Sequence, residues 1–144
     1  MNNKTINLGY NKKVIANFNK PKNFGKMEKA DAIGEVGNPN CGDIMKIYLK
    51  IGKKKMKVKG KNKAKEVEYI KDIKFQTMGC IAAIATSSMI TQLAKGKTLE
   101  EAKKITNKNV ASSLGSLPPI KMHCSNLAAD ALHAAIENWE RKKS

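Results

Sequence analysis

The sequence predicts an α+β fold, a small antiparallel sheet of about three strands with helices packed on one face. Three observations predict it. Apolar and polar residues alternate from Asp43 to Ile51 and again from Val67 to Thr77. From Cys80 onward the apolar period lengthens to the helical one. Strand-like segments therefore come first and helical ones follow, which segregates the two kinds of element.

Residues 1–10 read as a loose, flexible start, and 1–144 as one domain. Val14, Ile15 and Phe18 share a helical face between Asn11 and Asn19, and Pro21 ends that helix. Residues 22–40 hold four glycines or prolines and little periodicity, so they read as a loop or lid. Met45, Ile47, Leu49 and Ile51 point one way while Lys46, Tyr48 and Lys50 point the other, the pattern of a half-buried strand. The lysine- and glycine-rich stretch 52–65 reads as an extended hairpin connection, with Met56 and Val58 as candidates to prolong the strand. Residues 67–77 read as two further strand pieces with a turn near Lys71 and Asp72. Ile81, Ile84, Ala85, Ser88, Met89 and Leu93 then keep helical spacing up to Lys95, and Gly96 supplies the stop. Thr98 with Glu101 forms a capping box that opens a short helix to about Ile105. Asn107 to Leu114 reads as another short helix, Leu117 to Lys121 as extended because of Pro118 and Pro119, and Cys124 to about Arg141 as the longest helix. Its expected buried side is Leu127, Ala131, Ala134, Ala135 and Trp139.

The composition narrows the function. No apolar run is long enough to span a membrane, and the N-terminus has no signal-peptide core, so the expected compartment is the cytoplasm. The net charge of +16 comes almost wholly from lysine, Arg141 being the one arginine. With aromatics at 5% and lysines spread along the chain, a dedicated nucleic-acid binder is not expected. A lysine-rich solvated surface that steers acidic partners is.

The three cysteines carry the chemistry. Cys41 sits in the turn-like run from Gly37 to Asp43, Cys80 follows Gly79 at the junction of strand and helix, and Cys124 follows His123 after the Pro-Pro break. An odd count in a reducing compartment speaks against disulfides. Gathered by a fold, three thiolates with Asp43 and His123 beside them suit zinc or an iron–sulfur cluster. An oxygen or imidazole fourth ligand makes such a site more exchangeable than four thiolates would. Cys80 and Cys124 each begin a predicted helix, whose positive end lowers a thiol pKa. Singly, each residue has a plainer reading. Cys80 suits a small buried hydrophobe, Asp43 a turn cap and His123 a helix start, while His133 reads as a packing or surface residue. Three cysteines with Asp or His at turns and helix starts fit poorly with accident.

These residues also carry a resemblance. Gly37 to Met45, then Gly79-Cys80 followed by Ala83 to Ser88, then Leu117 to Ser125, together with Gly96 to Ala102, resemble the NifU/IscU iron–sulfur scaffold family in the same order. The match runs from about Val14 to Trp139 and leaves no room for a second domain. The resemblance implies a scaffold rather than an enzyme. Such a protein receives persulfide sulfur from a cysteine desulfurase, combines it with iron, holds a labile 2Fe-2S cluster and passes it to apo iron–sulfur proteins such as a ferredoxin. It implies Cys41, Cys80 and Cys124 as cluster ligands with Asp43 or His123 as the fourth. Asp43 is tied to cluster release, Cys124 is the leading persulfide acceptor, and zinc takes the same ligands in the cluster-free form. Whether one chain holds the cluster or a homo-oligomer bridges it is left open by the sequence. Leu117, Pro118, Pro119, Ile120 and Lys121 resemble the segment read by a DnaK-type chaperone.

Three departures stand out. Ile81 replaces a usual glycine, the 52–65 stretch is longer than the usual hairpin turn, and Ile120 replaces valine. The alternative function is a zinc-dependent sulfur acceptor of SufU type. That type carries arginine where His123 stands and an insertion between the second and third cysteines, which the 43 residues between Cys80 and Cys124 do not suggest. A thiol enzyme built on Cys124 and His123 lacks an evident oxyanion donor set. A basic zinc-stabilised nucleic-acid module rests on charge alone.

Overall fold

The computed structural model describes residues 11–38, 43–57, 60, 64–78, 81–115 and 126–143. Eight elements follow in chain order: α1 (Lys12–Asn19), β1 (Ala32–Asn38), β2 (Asp43–Lys57), β3 (Ala64–Met78), α2 (Ile81–Ala94), α3 (Leu99–Lys103), α4 (Asn107–Ser113) and α5 (Asn126–Lys143). The sheet is three-stranded and antiparallel in the order β1-β2-β3. The predicted α+β fold is observed.

The sheet buries one side because its residues alternate. Met45, Ile47 and Leu49 of β2 face Thr77, Phe75 and Ile73 of β3 across the ladder, and Val36, Gly34 and Ala32 of β1 across the other. Met45, Ile47, Leu49, Ile73 and Phe75 are fully buried beneath the helices. Tyr48 points to the helix-free side as expected, yet it is buried too. It pairs with Ile33, and its hydroxyl donates to Gln76 Oε1.

Strand β1 corrects the expectation of a loop over 22–40. Its β signal is diluted by Gly34 and Gly37, and the reason for Gly34 lies outside the strand. A Cβ there would stand 2.3 Å from the Ala131 carbonyl oxygen and 2.4 Å from the Ala135 nitrogen of α5. Helix and strand backbones approach so closely that only glycine fits. The second correction is β3, which is one continuous strand instead of two pieces. Its register shifts between Lys50↔Asp72 and Ile51↔Ile70, leaving Lys71 unmatched. Lys71 and Asp72 mark a bulge, one extra residue that bends the strand without ending it. Stretch 52–65 is a continuation of both strands out to Lys57↔Ala64, and Val58 lies outside the described residues.

Helix α2 runs antiparallel to β3. Ser87 Oγ, midway along the helix, lies 3.0 Å from Met45 Sδ, while Lys95, just past its C-terminal end, pairs with Asp72 at 3.3 Å. Of the positions at helical spacing, Ala85 and Ser88 are buried, whereas Ile81, Ile84, Met89 and Leu93 are half-buried. The other buried positions, Ala82, Ala83, Thr86, Ser87, Ile90, Thr91 and Ala94, lie off that face, because α1 covers the side away from the sheet. The buried hydroxyls are satisfied locally. Thr86 and Ser87 donate to the Ala82 and Ala83 carbonyls at 2.7 Å, and Ser88 donates to Asn17 Oδ1 of α1 at 2.7 Å. Gly96, at φ +86°, turns the chain as expected, and Thr98 and Glu101 form the expected capping box. A second box, Thr106 with Asn109, opens α4.

Helix α5 runs antiparallel to β1. Lys142 Nζ donates to the Asp31 carbonyl at 2.8 Å and Asn138 Nδ2 to the Ile33 carbonyl at 2.7 Å, with Ala131 and Ala135 against Gly34. Leu127, Ala131 and Ala135 are buried as expected, and so are Ala128, Leu132 and Ile136. Ala134 and Trp139 are only half-buried. Trp139 Nε1 donates to Glu68 Oε2 at 3.0 Å, and Lys143 Nζ donates to Glu68 Oε1 at 2.8 Å. Burial pushes the Glu68 carboxyl up. The hydrogen bonds from Lys143 and Trp139 outweigh that and hold it below the 4.5 of an ordinary glutamate. This contact therefore adds stability above pH 4.5 and loses it as pH falls through the depressed folded-state value. Trp139 is the only tryptophan, so its emission should stay level down to about that pH and shift below it. In Glu68→Gln the same acid titration should leave the emission flat, and an unchanged acid shift would contradict the assignment.

Candidate metal and sulfur site

Cys41, Cys80, His123 and Cys124 lie outside the described residues, as do the segment Leu117–Lys121 and residues 1–10, which were expected to be flexible. Asp43 is described as the first residue of β2, through its backbone only. The described residues flanking these positions define the framework.

Asn38, the last residue of β1, pairs with Asp43, the first of β2. Ile44 pairs with Met78, the last residue of β3. The strand ends before and after Cys41, and the strand end before Cys80, thus share one end of the sheet. Because α2 runs back along β3, its first residue, Ile81, belongs to that end too. Because α5 runs back along β1, its N-terminal turn leads to the Asn38 end. Five flanks, one from each of five elements, converge there. Sequence alone could give the segments but not this convergence, since it depends on the strand register and on the direction of two helices.

The electrostatics of that end follow from helix geometry. Helices α2 and α5 have 14 and 18 residues, no acidic residue in the first turn, and both direct their N-termini toward it. The unpaired N–H groups of a first turn carry partial positive charge, which favours anionic ligands such as thiolates. Ile81 is half-buried and packs against the core, so its side chain belongs to the helix packing.

On the helix-free side, the same end exposes apolar surface. Ile44 is 48% and Met78 77% exposed, and they line a cavity of about 390 Å³ with Phe24, Glu35, Lys46 and Gln76. Phe24 meets Phe75 edge-on at 5.3 Å between ring centres. Sequence reasoning missed this patch, although Ile44 and Met78 stand out as apolar residues out of step with the buried alternation. Among the described residues, no group of three or more His, Cys, Asp or Glu side chains is placed to hold a metal ion. His133, whose ring Nε2 is buried without a partner among the described residues, lies midway along α5, and the expectation of a packing or surface residue agrees with its half-buried position.

The chain matches the NifU-like N terminal domain family over residues 9–144. It belongs to that family. The chain is 56% identical over 133 residues to "Iron-sulfur cluster assembly scaffold protein IscU 1" of Archaeoglobus fulgidus, covering 92% of this chain and 78% of the relative. It is 42% identical over 139 residues to the iron-sulfur cluster assembly scaffold protein IscU of Azotobacter vinelandii, covering 94% of this chain and 98% of that one. The fold is also that of the crystal structure of a NifU-like protein (N-terminal) from Brucella abortus, at TM-score 0.62 and 19% identity, with 92% of this chain and 94% of that chain aligned. The NifU/IscU membership expected from the motifs is therefore shown, and so is the fold of the family. No helix among the described residues is long and apolar enough to cross a membrane.

Proposed function

We propose that this NifU/IscU-family protein is a scaffold that assembles a labile 2Fe-2S cluster from iron and persulfide sulfur and hands it to apo-proteins. The observation that carries the reading is the 42–56% identity, over nearly the whole chain, to relatives described as iron–sulfur cluster assembly scaffold proteins. The cluster is cargo, so the protein acts as a carrier without turnover of its own. Residues 1–144 act as one scaffold domain.

Cys41, Cys80 and Cys124 hold the iron, with Asp43 or His123 as the fourth ligand. The convergence of the flanking strand ends and helix starts supports this set. Two helix N-termini aimed at one end suit the net negative charge of a thiolate-ligated cluster. Cys124 takes the incoming persulfide from a cysteine desulfurase. The attacking thiolate and the sulfur-carrying thiol need to meet at an accessible place, and the end of a sheet between helix starts is one. In the cluster-free form the same residues hold zinc. A DnaK-type chaperone reading Leu117–Lys121, a ferredoxin as electron source or acceptor, a cluster-bridged homo-oligomer and a cytoplasmic location complete the proposal.

Asp43 is the residue whose change best separates holding from release. A hard carboxylate binds iron less tightly than a thiolate does and exchanges faster. Asp43→Ala should therefore slow transfer of a reconstituted cluster to an apo-ferredoxin, by about tenfold. The appearance of holo-ferredoxin times the transfer. Equal or faster release by the variant would assign the exchange to His123 instead.

A further inference from the structure

The β2–β3 hairpin runs well past the core. The last fully buried residue of β2 is Leu49, and Ile51 is partly buried against the core. Beyond it Lys53, Lys55, Met56 and Lys57, and Ala64 to Glu66 on the facing strand, are exposed. The six residues beyond Ile51, to Lys57, give an arm of about 20 Å. Between Asp43 and Glu66 the sequence has ten lysines and no acidic residue.

On the body of β2 the lysines are answered. Lys46 meets Glu35 at 3.7 Å and Lys50 meets Asp31 at 3.5 Å. On the arm, Lys53 reaches Glu66 only at 4.0 Å. Lys55, Lys57 and Lys65 have no acidic group within 4.0 Å among the described residues.

We propose that this arm docks an acidic segment of a partner protein and tethers the partner at the end of the sheet opposite the convergent strand ends. Three observations favour a protein over a nucleic acid. The sole arginine, Arg141, lies in α5 rather than on the arm. The aromatic ring at the arm's base, Tyr69, has one face covered by Lys54 Nζ at 4.8 Å, and that face offers no stacking platform to a base. On the helix side, Glu68 and Glu66 stand directly opposite Lys53 and Lys55, which breaks up any continuous track for phosphates. Met56, 39% exposed, adds an apolar contact among the lysines, as protein interfaces use. Lys53 lies ten residues along β2 from Asp43, about 33 Å, so a partner held on the arm leaves the other end of the sheet open. Tethering raises the partner's local concentration without obstructing that end. The purpose of the arm rests on the scaffold reading, but its binding does not.

The test uses the full cluster-free chain and a fluorescein-labelled poly-glutamate of about 20 residues, followed by anisotropy at about 0.15 M salt. One variant carries Lys53→Gln, Lys55→Gln, Lys57→Gln and Lys65→Gln. A control of equal net charge carries Lys12→Gln, Lys13→Gln, Lys20→Gln and Lys26→Gln. The arm variant should lose about tenfold in affinity and the control less than about threefold. A labelled DNA duplex should lose affinity equally in both, as bulk charge requires. Equal losses of poly-glutamate binding, no binding by the unaltered chain, or an arm-specific loss of duplex binding would each overturn the proposal. None of these readouts involves a cluster, so their failure leaves the scaffold reading standing.

Discussion

Gly34→Val is expected to destabilise the protein by about 3 kcal/mol or more. The atoms that a side chain would strike at position 34 are the Ala131 carbonyl oxygen and the Ala135 backbone nitrogen, at 2.3 and 2.4 Å. No rotamer change relieves a clash with backbone, so α5 must move away from β1. That motion would pull Ala131, Leu132 and Ala135 out of the buried layer and stretch the Asn138 bond to the Ile33 carbonyl. It would also shift the N-terminal turn of α5 relative to Asn38 and Asp43. Urea unfolding should show a midpoint lowered by about 1 M or more. An unchanged midpoint would mean that α5 does not lie on β1 as described.

The second large effect concerns the cargo. Cys41→Ser, Cys80→Ser and Cys124→Ser should each lower retention of a reconstituted cluster by at least about tenfold, since each removes a soft ligand. The comparison with stability separates ligation from packing. A cysteine that is only a small buried hydrophobe would lower the urea midpoint when changed to serine and leave cluster retention in the folded protein unaltered. The ligand set predicts the reverse, and any cysteine that follows the packing pattern is not a ligand.

Much of the fold was legible because local chemistry and tertiary packing agree. The alternation of Met45, Ile47 and Leu49, the capping box of Thr98 and Glu101, and the stop at Gly96 each have a local cause and are found in place. Strand β1 was not legible, because Gly34 answers to a helix nearly 100 residues later and looks like a loop signal until that helix is placed. The continuity of β3 was hidden by its bulge, where one unmatched lysine mimics a turn. The face of α2 was misplaced, because α1 and the sheet enclose the helix from two sides and bury its alanines, serines and threonines, while the large Ile81, Ile84, Met89 and Leu93 that set the period are half-buried. For the site, sequence supplied the residue types and the motif order. The convergence of the flanking strand ends and helix starts at one end of the sheet came only from register and helix direction.

Anaerobic reconstitution with ferrous iron and a sulfur source, followed by visible absorption and by iron, zinc and acid-labile sulfide analysis, tests the central claim most directly. The scaffold reading predicts iron and sulfide bound in equal amounts, with charge-transfer bands that fade when an apo-ferredoxin is added. Tightly held zinc with no uptake of iron or sulfide would contradict it and assign the protein to sulfur transfer alone.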